Sequence, residues 1–180
     1  MTQVEKRHGL TLHCAAQVGR LDALKELLSC KDIKADVFDK NGDTPLHRAA
    51  FQGYAACVQL LLKAGASMDI QNERGENPLH LAAWEGHTAC VQLLLDAGGT
   101  ANINVRDTWG QTPLHQAAIE GHTACVQLLL EAGGVASMNI QSMDGDTPLQ
   151  KATNQGHVEI VDIITSYDKG MAKSAYVEKC

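Results

Sequence analysis

The sequence predicts an all-α fold, a solenoid of helix-turn-helix units joined by hairpin-like loops. Three observations carry this. First, one phrase recurs: Thr112-Pro113-Leu114-His115 returns as Thr44-Pro45-Leu46-His47, Asn77-Pro78-Leu79-His80 and Thr147-Pro148-Leu149-Gln150, with a looser first copy, Leu10-Thr11-Leu12-His13. The fourth residues are spaced by 34, 33, 35 and 35. Second, each regular phrase pairs a capping residue with a proline. Proline suits the first helical position, where its missing amide hydrogen is not needed, and the preceding side chain can accept from an orphan amide. Third, the apolar run that follows, such as Cys90-Val91-Gln92-Leu93-Leu94-Leu95, cannot be buried within one unit. Units must therefore stack and share one continuous core.

Taken in order, residues 1–8 are polar and form a disordered N-terminal segment. The first copy, about 9–38, lacks the proline, and Arg20, Asp22, Lys25 and Glu26 make its second helix polar, as befits a solvated solenoid end. Copies two to four span about 39–71, 72–106 and 107–141. In each, a short first helix stops at Gly53, Gly86 or Gly121, and a second, leucine-rich helix stops near Gly65, Gly98 or Gly133. Copies three and four carry two extra residues there, expected to widen the turn into the next hairpin. The fifth copy, 142–167, replaces the histidine with Gln150 and reads as the C-terminal cap. Residues 168–180 follow as a lysine-rich C-terminal tail, or a short extra helix.

Phrase, period and glycine punctuation together resemble the ankyrin repeat, over residues from about 9 to 167. The resemblance implies an ankyrin-repeat solenoid of five units. It also implies a partner protein bound through the hairpin tips and the concave face of the first helices.

Composition narrows the partner. The net charge is −6, and between 42 and 146 eleven acids face four bases, a net −7 for the middle units. Nucleic-acid binding draws on lysine and arginine, so the expected partner is a protein with a basic or mixed surface and not nucleic acid. No apolar run approaches 18 residues and no secretory leader is visible, which points to the cytoplasm or nucleus and to no membrane partner. The chain is expected to act as a monomer.

Eight histidines and six cysteines raise a metal hypothesis. His13, His47, His80 and His115 share one repeat position, and His87, His122 and His157 another. Equivalent residues of one column sit roughly 8–10 Å apart in stacked units, too far to share a zinc ion with ease at about 2 Å per ligand. The ankyrin resemblance implies that the first set bonds adjacent turns. Cys57, Cys90 and Cys125 form a third column, read as small core fillers and not disulfides. No phosphate loop, nucleophile elbow or carboxylate pair stands out, so neither catalysis nor a cofactor is expected.

Recognition residues can be named. The position after the Ala-Ala pair reads Phe51, Trp84 and Ile119, and Trp109 falls at a hairpin tip. Both tryptophans of a chain only 4% aromatic thus lie at outward positions, and tryptophan is enriched among binding hot spots. The alternative is that Phe51, Trp84 and Ile119 pack along the stack and seal it. Arg74, Glu76, Glu85, Gln111, Glu120, Met143 and Asp144 complete the expected partner-binding set.

Asn104 and Asn139 stand six residues before their hairpin glycines, where the resemblance implies asparagine hydroxylation. Asp96 and Glu131 occupy the place of the usual upstream leucine, and turn stabilisation is the alternative role. The leading expectation is a non-enzymatic adaptor. An inhibitor of an enzyme is the next: five-repeat chains of this size look like the ankyrin-type inhibitors of cyclin-dependent kinases. Those have an altered first helix in their second repeat, where this chain keeps Thr44-Pro45-Leu46-His47. A microbial effector acting on host proteins is a further alternative.

Overall fold

The computed structural model describes residues 12–30, 33–98 and 101–177. The segment 1–8, expected to be disordered, lies outside the described residues, as does Cys180. Helices alternate along the chain in two layers. The first layer holds α1 (12–17), α3 (Pro45–Phe51), α5 (Pro78–Trp84), α7 (Pro113–Glu120) and α9 (Pro148–Gln155). The second holds α2 (Leu21–Ser29), α4 (Ala55–Lys63), α6 (Thr88–Asp96), α8 (Thr123–Met138) and α10 (Val158–Val177). From α3 to α9 each first-layer helix packs on the next, and from α2 to α10 each second-layer helix does likewise. No strand occurs among the described residues, and no helix there is long and apolar enough to cross a membrane.

The recurrent phrase makes both the cap and the joint between units. Thr44 Oγ1 accepts from the His47 amide at 3.4 Å, and the Thr44 amide donates to His47 Nδ1 at 3.1 Å. Because Nδ1 accepts, the ring proton sits on Nε2, which donates to the Glu76 carbonyl at 3.0 Å in the next hairpin. His13, His80 and His115 reach the Asp43, Gln111 and Asp146 carbonyls in the same way, at 2.8, 3.2 and 3.1 Å. Gln150 keeps only the cap, its Oε1 accepting from the Thr147 amide at 2.8 Å. Hairpin tips are joined as well: the Glu73, Thr108 and Met143 amides donate to the Asn41, Arg74 and Trp109 carbonyls at 3.0, 3.0 and 2.9 Å.

Between the layers runs a continuous core of Leu46, Leu114, Val58, Val91, Val126, Leu61, Leu94 and Leu129, with the alanine pairs allowing close helix approach. Cys57, Cys90 and Cys125 are buried in it as free thiols. Burial raises all three thiol pKa values, that of Cys90 to about 11, so they serve as inert fillers.

Two expectations about helix ends need correction. α8 does not stop at Gly133 but runs through the glycine pair to Met138. Val135, Ala136, Ser137 and Met138 continue the helix, and Ser137 and Met138 become buried. The equivalent insertion after α6 behaves differently: the helix ends at Asp96 and Gly98 takes φ +108°. The second correction concerns Tyr167, where no break occurs, because α10 continues to Val177. Its extension is rich in Ala, Lys and Met, whose helix propensity outweighs the roughly 1 kcal/mol cost of Gly170.

A candidate interaction groove

Outward positions on α3, α5 and α7 form columns parallel to the stack. Phe51, Trp84 and Ile119 make one. Three residues earlier, hence on the same helix face, Arg48, Leu81, Gln116 and, on α9, Lys151 make a second. The first column, Leu81 and Gln116 of the second, and the hairpins border a groove of about 580 Å³. Eight of the sequence-predicted residues line it together: Phe51, Trp84, Trp109, Ile119, Arg74, Glu76, Glu85 and Gln111. Leu81 and Gln116 also line it and were missed. The three-residue offset from the aromatic column was the available clue.

Glu120, Met143 and Asp144 fall outside this groove. Glu120 is exposed beyond Ile119, Met143 is 74% exposed on the following hairpin, and Asp144 is held by Lys151 Nζ at 3.0 Å. Asn104 and Asn139 lie elsewhere. Asn104 Oδ1 accepts from Ser137 Oγ at 2.7 Å, tying the α8 extension to the preceding unit. Asn139 follows the last turn of α8 and donates to the Val135 carbonyl at 3.2 Å.

A second set of histidines fixes the groove column. His87, His122 and His157 donate through Nε2 to the Phe51, Trp84 and Ile119 carbonyls at 3.0, 2.9 and 2.8 Å. Room for the first ring comes from Gly53, at φ +76°, where a Cβ would lie 2.5 Å from His87 Nδ1. Phe51, Trp84 and Ile119 are thus each anchored by the following unit. Trp84 remains 39% exposed and Trp109 50%, which rules out full burial in the stack for either.

Charge varies along the groove. In the second unit Arg48 bonds Asp39 Oδ2 through Nε at 3.1 Å and Asp43 Oδ2 through Nη2 at 3.2 Å. Burial works to raise the Asp39 pKa, but Arg48 and the Asn41 and Asp43 amides outweigh it and hold the carboxyl below its ordinary value. Lys151 pairs with Asp144 and Asp146 at 3.0 and 3.2 Å. Between them, Leu81 and Gln116 bring no cation. Glu76, only 7% exposed, receives Asn72 Nδ2 at 3.0 Å and the exposed Arg74 at 3.1 Å, and burial raises its pKa. Gln116 donates through Nε2 to Asp107 Oδ2 at 2.9 Å, while its buried Oε1 meets no donor.

A family model described as ankyrin repeats (3 copies) matches residues 12–107 and 99–174. Similar proteins include Potassium channel AKT2/3 of Arabidopsis thaliana, 46% identical over 50 residues that make 28% of this chain and 6% of the channel. Ankyrin repeat domain-containing protein 49 of Homo sapiens is 38% identical over 66 residues, 37% of this chain and 28% of that protein. The matched stretches thus span well under two thirds of either relative. Capped helix pairs, histidine-bridged hairpins and family matches from 12 to 174 agree: the chain belongs to the ankyrin repeat family, whose repeats are protein–protein interaction modules.

Proposed function

We propose that the chain is a non-enzymatic adaptor that holds one protein partner in the groove and along the hairpin tips. The observation that carries this reading is the convergence of Phe51, Trp84, Trp109 and Ile119 on one 580 Å³ groove with both tryptophans exposed. Aromatic anchors in a partly enclosed site are the usual source of interface affinity. The backbone of Phe51, Trp84 and Ile119 is fixed beforehand by His87, His122 and His157, and that of Trp109 by Asp107 and the Met143 amide, so little ordering entropy is lost on binding. The acidic middle of the chain favours a basic or mixed partner surface.

The adaptor reading includes five units, about 9–38, 39–71, 72–106, 107–141 and 142–167, a monomeric chain, and action in the cytoplasm or nucleus. Its test is affinity capture from cell lysate with the wild-type chain and with Trp84→Ala/Trp109→Ala, after matching their circular dichroism. The expected outcome is a protein retained by the first and lost by the second. Equal capture by both chains would overturn the groove as the interface.

A further inference from the structure

The repeats carry their own template for a helix-borne cation that α5 and α7 lack. At the position after the phrase's fourth residue, the second and fifth units place a cation, Arg48 or Lys151, and each neutralises two acids of its own hairpin. The third and fourth units keep acids in the matching hairpin positions: Glu76 stands where Asp43 does, and Asp107 where Asp39 does. They replace the cation with Leu81 and Gln116. The groove opens at these two units, and both tryptophans lie there.

A second, independent observation marks the same place. Gln116 is 2% exposed, lines the groove, and has a buried Oε1 with no donor. An unsatisfied buried acceptor is costly. Glu76 is nearly as buried, and its nearest cation, Arg74, is 60% exposed. Glu76 and Gln116 thus line a cleft together with both tryptophans, while Glu85 adds a further negative charge to the lining.

We propose that the groove receives an arginine side chain from the partner protein, its guanidinium taking the place that Arg48 and Lys151 fill in the neighbouring units. The guanidinium donates to the Glu76 carboxylate, and its planar face and stem lie against Trp84 and Trp109. Arginine suits this better than lysine because it stacks on aromatic faces and carries five donors. This inference rests on the groove reading above and specifies the chemistry of the partner.

The test is a displayed library of random 16-residue peptides, selected on the full wild-type chain. The expected result is an arginine fixed at one position of the selected peptides. Replacing it with norleucine should weaken binding roughly tenfold or more, the scale of a charge-assisted hydrogen bond. Leu81→Arg, which installs the chain's own cation as α3 does, should weaken the same peptide comparably. Glu76→Gln, which keeps the shape, gives a second reading should Leu81→Arg fold poorly. Selected peptides without a fixed basic residue that still lose binding to Trp84→Ala overturn the arginine while leaving the groove. Peptides that bind Trp84→Ala/Trp109→Ala as well as wild type overturn both readings. Absence of any enriched peptide overturns the inference.

Discussion

Nε2 of His80 donates to the Gln111 carbonyl at 3.2 Å, while Nδ1 lies 3.3 Å from the Asn77 amide and 2.7 Å from Asn77 Oδ1. Burial pushes the His80 pKa down to about 4 and lowers those of His47 and His115. The sign follows directly. Between about pH 6.5 and 4 the unfolded chain binds protons that the folded chain refuses. Stability is therefore complete above pH 6.5 and falls as pH drops toward 4, by on the order of 3 kcal/mol from His80 alone. Glu76 acts oppositely, since burial raises its pKa and acid relieves its folded-state penalty. Urea midpoints measured at pH 7.5 and 5 should show a net loss at the lower pH, smaller in His80→Gln, because Gln150 already makes the same cap without titrating there. An unchanged midpoint would mean that these histidines protonate without cost. A second residue-scale prediction concerns the orphaned amide. Gln116→Leu gives up the bond to Asp107, which keeps the Trp109 and Gln111 amides at 2.9 and 2.8 Å, and removes an unsatisfied oxygen. The melting temperature should move little, equivalent to less than about 1 kcal/mol; a larger loss would show that Oε1 is satisfied in solution.

At the scale of elements, the capped first helices were legible because proline, the cap and the fourth residue act within one turn. The groove was partly legible for the same reason: Phe51, Trp84 and Ile119 share a position that local periodicity exposes. Leu81 and Gln116 stand three residues before that column on the same helix face, a clue available in the sequence, but the absence of a cation there shows only when they are compared with Arg48 and Lys151 across units. The α8 extension escaped because Gly133-Gly134 marks a helix end by propensity, whereas burial of Ser137 and Met138 and the Ser137–Asn104 bond reward its continuation. Tertiary packing overrides propensity at such a site. That account makes Gly133 a residue fitted to its neighbours, since a Cβ there would run into Ser137 Oγ and approach Ile103 Cδ1 at 3.1 Å. Gly133→Ala should therefore destabilise the chain despite a propensity gain of about 1 kcal/mol. Adding Ser137→Ala should restore part of the loss in a double-mutant cycle by urea unfolding. A stabilising single substitution would show that α8 ends before this point.

For the whole molecule, stability is a sum over neighbours. Every described joint between units reuses one kit: a histidine to the next hairpin's carbonyl, a tip-to-tip amide bond or a shared strip of leucine and alanine. An interior unit has this kit on both sides, an end unit on one. Local opening should then cost least at the ends and most in the middle, as expected of a one-dimensional array. Hydrogen exchange should accordingly be slowest over 45–130, where α3 to α8 stack. Exchange from α2, α9 and α10 should be faster and should speed up first in mild denaturant. Uniform protection along the chain would mean that the array unfolds as one cooperative block, with coupling reaching beyond neighbouring units. Deleting 72–106 separates the two cases from the other side. It brings α3 and α4 against α7 and α8 through equivalent positions, including His47 facing Gln111, and should leave a shorter, folded array with proportionate helical circular dichroism.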